Sequence, residues 1–280
     1  FGDGKKHKWA EVVHDNTVTW LAKWKDSING EEKYVMLAAN SSWKGISDMA
    51  KYEKARELKK HIEKIRTDYM RGIRGSDGAT QQMATAVYLI DRLALRVGNE
   101  KNTDEEADTV GCCSLRVEHV FVNEELGPNR LRLKFLGKDS IEYDATTEVL
   151  PDVHKRILQF VKKKAATDQV FDLVEPGMLN DHFKKFMDGL SAKVFRTYNA
   201  SSTLDSELSK TEERVTKAQR LKEGDVGALF AYYNTANKNV AELCNHQRAT
   251  PASHGAARPI PRPASTPRRR VVSGGRGLRS

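Results

Sequence analysis

The chain has 280 residues, 39% hydrophobic and 30% charged, enough for one or two folded domains with a sizeable core and a large charged surface. No apolar run approaches the roughly 18 residues a membrane span needs, and Cys112, Cys113 and Cys244 fit neither a disulfide framework nor a zinc spacing. The net charge of +9 is unevenly spread: residues 249–280 hold seven Arg and no acid, leaving only +2 for the rest, so a nucleic-acid argument must rest on placed residues.

The sequence opens at Phe1 rather than Met and shows no signal-peptide pattern, so the expectation is a piece of a longer protein from a reducing compartment, nucleus or cytosol. Val18, Trp20, Ala22 and Trp24 alternate with Thr19, Leu21 and Lys23 as in a strand, and Lys33 to Ala38 reads as a second strand. Between them, Asp26 to Gly30 supplies a turn in which Asn29-Gly30 is the strongest signal. From Asp48 to Arg71, Ala55, Leu58, Ile62, Ile65 and Tyr69 mark one face of a charged helix, and Gly72 to Gly78 breaks it.

The segment from Ala79 to Lys101 is the most regular in the chain. Met83, Val87, Ile90, Leu93, Ala94 and Val97 form one apolar helical face, with Asp91 and Arg92 opposite and Gly98 as the stop. On this reading a rigid helix delivers Arg96 to a fixed point. Leu115 to Phe121 alternates as a strand, and Leu131, Leu133 and Phe135 as another, which turns through Lys138 into Ile141 to Tyr143; this is a small antiparallel sheet with Lys138 at a hairpin tip.

Helices follow at Val149 to Lys164, Met178 to Leu190, and Ala192 to Tyr198. A charged segment from Ser206 to Gly224 reads as a helix reaching outward, and another helix runs from Asp225 to Cys244. Five of the eight prolines lie beyond it among Arg, Ser and Gly, a tail composition that favours disorder.

Arg96, Lys138, Arg196 and His246 stand near the ends of elements. Each has an ordinary reading as a solvated or surface-paired side chain. Together they are also what a metal-free phosphoryl-transfer site needs: guanidiniums for the charge of a pentacoordinate phosphorus, and a lysine or histidine for a proton or hydrogen bond.

The strings HKWAEVVHDNTVTWL, KYEKARELKK, LALRVGNEK, DTVGCCSLRVEH, FLGKDSIEY, AKVFRTYNAS and LCNHQR resemble, in order and spacing, those of eukaryotic type IB DNA topoisomerases. The resemblance covers roughly Lys8 to Arg248. It implies that Arg96, Lys138, Arg196 and His246 assist a tyrosine that attacks a DNA phosphodiester, with neither ATP nor metal as cofactor. It also implies duplex DNA as partner, a nuclear location, and DNA contacts from Trp20, Lys33, Tyr34, Lys51, Arg96, Val97, Gly98, Asn99, Glu100, Lys101, Thr109, Lys138, Asn180, Ser191, Ala192, Lys193 and His246. By pattern alone, Trp20 and Tyr34 read as core aromatics.

The family's nucleophile lies in a Ser-Lys-x-Asn-Tyr motif after the histidine, and no tyrosine here follows Tyr233. Tyr198 and Tyr233 fall in buried-looking helical patterns. The expectation is therefore the large subunit of a bipartite enzyme, similar to that of trypanosomatid parasites, whose tyrosine comes from a small subunit. A tyrosine recombinase and a non-catalytic duplex-binding module are the alternatives.

The expected fold class is α+β. A partial β-rich cap element spans residues 1–42, a mainly helical, tyrosine-recombinase-like catalytic core with a small antiparallel sheet spans residues 43–248, and a disordered tail spans residues 249–280.

Overall fold

The computed structural model describes residues 8–15, 18, 20–99, 107–122, 126–217 and 226–245, with backbone alone for 211–217. Among them the fold is α+β as expected. A hairpin of β1 (Trp20–Lys25) and β2 (Glu32–Met36) precedes α1 (Ser42–Arg74) and α2 (Gly78–Leu93). Strands β3 (Val120–Phe121), β4 (Arg130–Leu136) and β5 (Glu142–Glu148) form an antiparallel sheet in that order, and α3 (Pro151–Val161), α4 (Pro176–Lys184), α5 (Ala192–Lys217) and α6 (Val226–Leu243) follow.

The first hairpin closes as the turn chemistry dictates: Gly30 takes φ +72°, and the Asp26 and Glu31 backbones bond across the turn at 2.8 Å. Helix α1 begins where the Ser41 hydroxyl accepts from the Lys44 amide at 3.3 Å. Its predicted face is buried in full, through Ala55, Leu58, Ile62, Ile65, Tyr69 and, one turn further, Ile73. Each of those Leu and Ile side chains contributes about 1.5–3 kcal/mol of transfer free energy.

Helix α2 departs from its expected one-sided burial. Its N-cap, Asp77, accepts from the Thr80 amide at 2.8 Å, and Ala84 through Asp91 are all buried. Neighbours enclose this stretch of α2, with α1, α3 and α5 all packed against the helix. Asp91, read as lying opposite the apolar face, is 1% exposed and takes Arg66 Nε at 3.0 Å and Tyr69 Oη at 3.1 Å. Burial without such partners would cost several kcal/mol. The buried Gln82 is likewise satisfied, donating to Asp172 at 2.8 Å and accepting from the Leu173 amide at 3.0 Å.

In the second sheet, Leu131, Leu133 and Phe135 alternate inward, and Phe135 stacks on its cross-strand partner Tyr143 at 4.9 Å. The strand expected from Leu115 to Phe121 shortens to two residues. Its preceding backbone bonds elsewhere: Val117 N reaches Asp168 O at 3.0 Å, Glu118 N reaches Ala166 O at 2.9 Å, and the His119 ring accepts from the Arg116 amide at 3.1 Å. A 3-10 turn over Val117–His119 results.

Helix α4 ends at Lys184 rather than continuing to Leu190. Helix α5 is continuous from Ala192 to Lys217, so the charged segment from Ser206 extends the helix that carries Arg196. Tyr198 is half-buried as packing against the core requires, but Tyr233, expected inside, is 46% exposed on α6. No helix among the described residues is long and apolar enough to cross a membrane.

Candidate functional site

The two arginines singled out from sequence are brought together by the ends of three helices. Helix α2 stops at Leu93 rather than near Gly98, because Ala94 adopts a left-handed conformation at φ 50°. Arg96 therefore projects as an exposed side chain from the largely buried segment beyond the helix instead of from its last turn. That segment is held by its backbone: Arg96 O accepts from Cys112 N at 2.8 Å and Val97 O from Cys113 N at 2.7 Å.

The pairing is possible only because two glycines cross. Gly98 has φ +75°, and a Cβ on it would lie 2.6 Å from Gly111 Cα; a Cβ on Gly111 would lie 2.4 Å from Gly98 N. The adjacent thiols take no part. Burial raises Cys112 well above the usual thiol range and Cys113 to about 12.

Arg196 sits in the second turn of α5. One terminal nitrogen donates to Ala94 O at the end of α2, and the other donates to Cys244 O, 2.9 Å away, just past the end of α6. Carbonyls at helix C-termini are unsatisfied and partially negative, so they hold a guanidinium well. Burial, and then the neighbouring charge of Arg96, push the Arg196 pKa down, though an arginine stays ionised. Two adjacent guanidiniums, one gripped by backbone and one exposed, make a site whose charge is balanced when an anion binds.

The sheet closes on the same place. Burial raises the Tyr143 phenol while Arg196 pulls it down, which puts β5 beside the guanidinium. Asn245 Nδ2 donates to Glu142 O at 3.1 Å, tying the residue before His246 to the start of β5. Lys138 occupies the β4–β5 tip in a 3-10 turn over Lys138–Ser140, exposed, with Asp139 and Ser140 at positive φ and Gly137 N bonded to Ile141 O at 2.8 Å. Lys134 on the same hairpin pairs with Glu142 at 3.3 Å and Arg132 with Asp144 at 2.7 Å. Among the described residues Lys138 and Arg96 form no ion pair.

The other residues carried over by resemblance are placed unevenly. Val97 and Gly98 are half-buried and Asn99 is exposed beside Arg96, whereas Glu100, Lys101 and His246 lie outside the described residues. Thr109 is half-buried next to Val110, whose amide bonds Leu136 O at 2.7 Å near the lysine hairpin. Ala192 and Lys193 open α5 one turn before Arg196, Ala192 buried and Lys193 exposed, and the half-buried Ser191 immediately precedes the helix. Asn180 is half-buried on α4. Lys51 is exposed on α1, 5.4 Å from the Tyr52 ring.

Trp20 and Tyr34 pack against each other at 6.1 Å on the first hairpin, with Tyr34 43% exposed rather than in a core. Lys33 pairs with Glu31 at 2.5 Å, and Tyr34 donates to Glu32. These contacts stay within the hairpin. Among the described residues no three His, Cys, Asp or Glu side chains gather as a cation site.

Sequence reasoning missed three contributors: Gly111, Asn199 and Asn245. Asn199 on α5 donates to Asp91 O in the last turn of α2. The only sequence signal for it is its spacing, three residues after Arg196 on one helical face.

Comparison with known proteins gives the family. A family model described as "Eukaryotic DNA topoisomerase I, catalytic core" matches residues 40–259, and one described as "Eukaryotic DNA topoisomerase I, DNA binding fragment" matches residues 3–37. The chain is 54% identical over 250 residues to DNA topoisomerase 1 alpha of Arabidopsis thaliana, covering 89% of this chain and 26% of that protein. Over 249 residues it is 50% identical to DNA topoisomerase 1 of Schizosaccharomyces pombe, covering 89% of this chain and 29% of that protein. With DNA topoisomerase 1 of Homo sapiens the identity is 47% over 247 residues, covering 88% of this chain and 31% of that protein. The chain thus spans between about a quarter and a third of the length of these curated relatives. It belongs to the eukaryotic DNA topoisomerase I family, through the catalytic core and the DNA-binding fragment that precedes it.

Proposed function

We propose that this chain holds a duplex-DNA phosphodiester while a tyrosine from a separate small subunit cleaves and reseals one strand, so that supercoiled DNA relaxes. The observation that carries the reading is Arg196 pinned between the ends of α2 and α6 with Arg96 at its side. Residues 1–42 contribute a cap element, residues 43–248 the catalytic core, and the Arg-rich tail a non-specific electrostatic contact. The site of action is the nucleus.

In the cleavage step the tyrosine oxygen attacks phosphorus, its proton passing to water, and the bond from phosphorus to the 5′-oxygen breaks. Arg96, Arg196 and His246 bind the non-bridging oxygens as negative charge accumulates on them. Lys138 protonates the departing 5′-oxygen from its exposed hairpin tip. The 3′-phosphotyrosyl bond conserves the phosphodiester energy, so the freed hydroxyl attacks back after the duplex has rotated, without ATP or metal.

The tyrosines near this site support a nucleophile from elsewhere. Tyr143 is stacked on Phe135 with its phenol pKa raised, and Tyr69 and Tyr88 are buried around α2. DNA contacts from Trp20, Lys33, Tyr34, Lys51, Val97 to Lys101, Thr109, Asn180 and Ser191 to Lys193 would set orientation on the backbone rather than read bases.

The test mixes the purified chain with a chain bearing Ser-Lys-x-Asn-Tyr, any further cap residues being supplied, and follows supercoiled plasmid in EDTA without ATP. Relaxation that needs both chains, with the adduct on the small one, is the expected result. Relaxation by this chain alone, with an adduct on one of its own tyrosines, overturns the two-chain reading. Duplex binding without cleavage in the complete mixture identifies a non-catalytic module instead.

A further inference from the structure

We infer that Asn199 is a positioning residue for the reaction, one that sets the two guanidiniums relative to each other by fastening α5 to the last turn of α2. The inference rests on the proposed function of Arg96 and Arg196.

Helix α2 ends without a glycine. The carbonyls of its last turn need partners, and Ala94 turns left-handed at φ 50° where a glycine would ordinarily stand. The partners come from α5. Asn199 Nδ2 donates to Asp91 O, and Arg196, one turn earlier on the same face of α5, donates to Ala94 O. The two donors are three residues apart, and so are the two acceptors. Two parallel bonds between helices fix both the separation and the rotation of one about the other.

The acceptor end cannot drift. Asp91 is 1% exposed, and its carboxylate is held from α1 by Arg66 Nε at 3.0 Å and by Tyr69 Oη at 3.1 Å. Asn199 therefore bonds a carbonyl whose own residue is anchored to a third helix. Arg96 follows Asp91 by five residues and Arg196 precedes Asn199 by three, so the Asn199–Asp91 bond lies behind both cationic groups. Without it, Arg196 has to hold α5 in register and also face the phosphate. Freed to tilt, its guanidinium spends less time in the geometry the transition state needs.

The test uses Asn199→Ala and Asn199→Gln in the enzyme assembled with the tyrosine-bearing chain, beside Arg196→Ala. Single-turnover cleavage at saturating duplex, the duplex Kd and thermal unfolding are measured for each. Asn199→Ala is expected to slow cleavage at saturation by about 10- to 100-fold with Kd little changed. Asn199→Gln, which keeps the donor, recovers most of the rate.

A role confined to stability would lower Tm and leave cleavage at saturation unchanged in Asn199→Ala. That result, with Arg196→Ala still impaired, overturns the inference. Full cleavage by Arg196→Ala overturns the proposed function instead.

The chain alone supplies a second readout. Its Arg196 side-chain N–H signals in nitrogen-resolved NMR should exchange slowly with solvent and broaden in Asn199→Ala while the α2 backbone amides stay dispersed. Unaltered Arg196 signals also sink the inference.

Discussion

Arg196 bonds the carbonyl of Ala94, two residues before Arg96, so the buried arginine of the pair is fastened to the very segment that presents the exposed one. Their separation is thereby written into backbone geometry, and substitutions at the two positions should fail differently. Arg196→Ala leaves two helix-end carbonyls without partners and should cost about 1–3 kcal/mol of stability as well as cleavage. Arg96→Ala, at an exposed position, should lose cleavage with little change in the denaturant midpoint. Equal loss of stability in both, read by urea unfolding, would contradict the assignment of Arg196 as the anchored member.

Lys138→Ala should slow cleavage by roughly 10²- to 10⁴-fold with duplex affinity nearly unchanged, because a general acid acts in the transition state. A substrate with sulfur at the 5′-bridging position needs no proton on its leaving group. The variant should cleave that substrate at close to the parent rate. Equal impairment on both substrates would remove Lys138 from the acid's role.

Gly111→Ala should be more damaging than its size suggests. The added methyl would lie 2.4 Å from Gly98 N and 2.8 Å from Arg96 O, both backbone atoms that cannot rotate aside. Forcing the crossing apart should cost about 1–3 kcal/mol or more and weaken the bonds from Cys112 and Cys113 that hold Arg96. Gly30→Ala is the contrast: Gly30 is left-handed at φ +72°, as Gly111 is not, but nothing lies within 4 Å of the new carbon. A Gly111→Ala chain with unchanged Tm and cleavage would refute the crossing as the clamp on Arg96.

The histidines give a pH dependence. Burial lowers His119, helped by the Arg116 charge, and burial lowers His182 against the opposing pull of Asp68, so both folded values lie below the ordinary 6.5. The unfolded chain then binds more protons than the folded one. Stability should be full above about pH 6.5 and fall as pH drops from there through the folded values. Comparing urea midpoints at pH 7.5 and 5.5 checks this. His119→Gln should reduce the difference, and a midpoint that rises on acidification would reverse the sign of the argument.

Deleting residues 249–280 removes seven arginines and should flatten the dependence of log affinity on log salt. Cleavage within the saturated complex should stay the same. Loss of cleavage at saturating DNA would mean the tail acts at the site itself.

Much of this architecture is legible in the sequence, because the apolar spacing of α1 and the alternation of β4 follow directly from one buried face. The end of α2 is not legible. Leu93, Ala94 and Leu95 continue an apolar register, and the groups that bond the carbonyls at the helix end, Arg196 and Asn199, stand about a hundred residues later. Asp91 misled for a related reason: a carboxylate near a helix C-terminus reads as solvated until Arg66 and Tyr69 are seen to enclose it. Likewise, alternation around Val117 suggested a strand, yet its amides bond the segment 166–168 rather than β4. Arg96, Lys138 and Arg196 are legible as residue types near element ends, but the meeting of Arg96 and Arg196 depends on a long-range bond to Ala94 O that no local pattern records.

Because residues 84–91 of α2 are buried all round, their amides can meet solvent only when the surrounding helices part together. Hydrogen exchange there should report the free energy of opening the whole unit, whereas the β1–β2 hairpin, with Leu21, Trp24 and Met36 half-exposed or more, should exchange through small local excursions. On the proposed function, a duplex turning under torsion would flex the periphery without transmitting motion to the helix whose end sets the arginines. The phosphate would be resealed in the same frame in which it was cut.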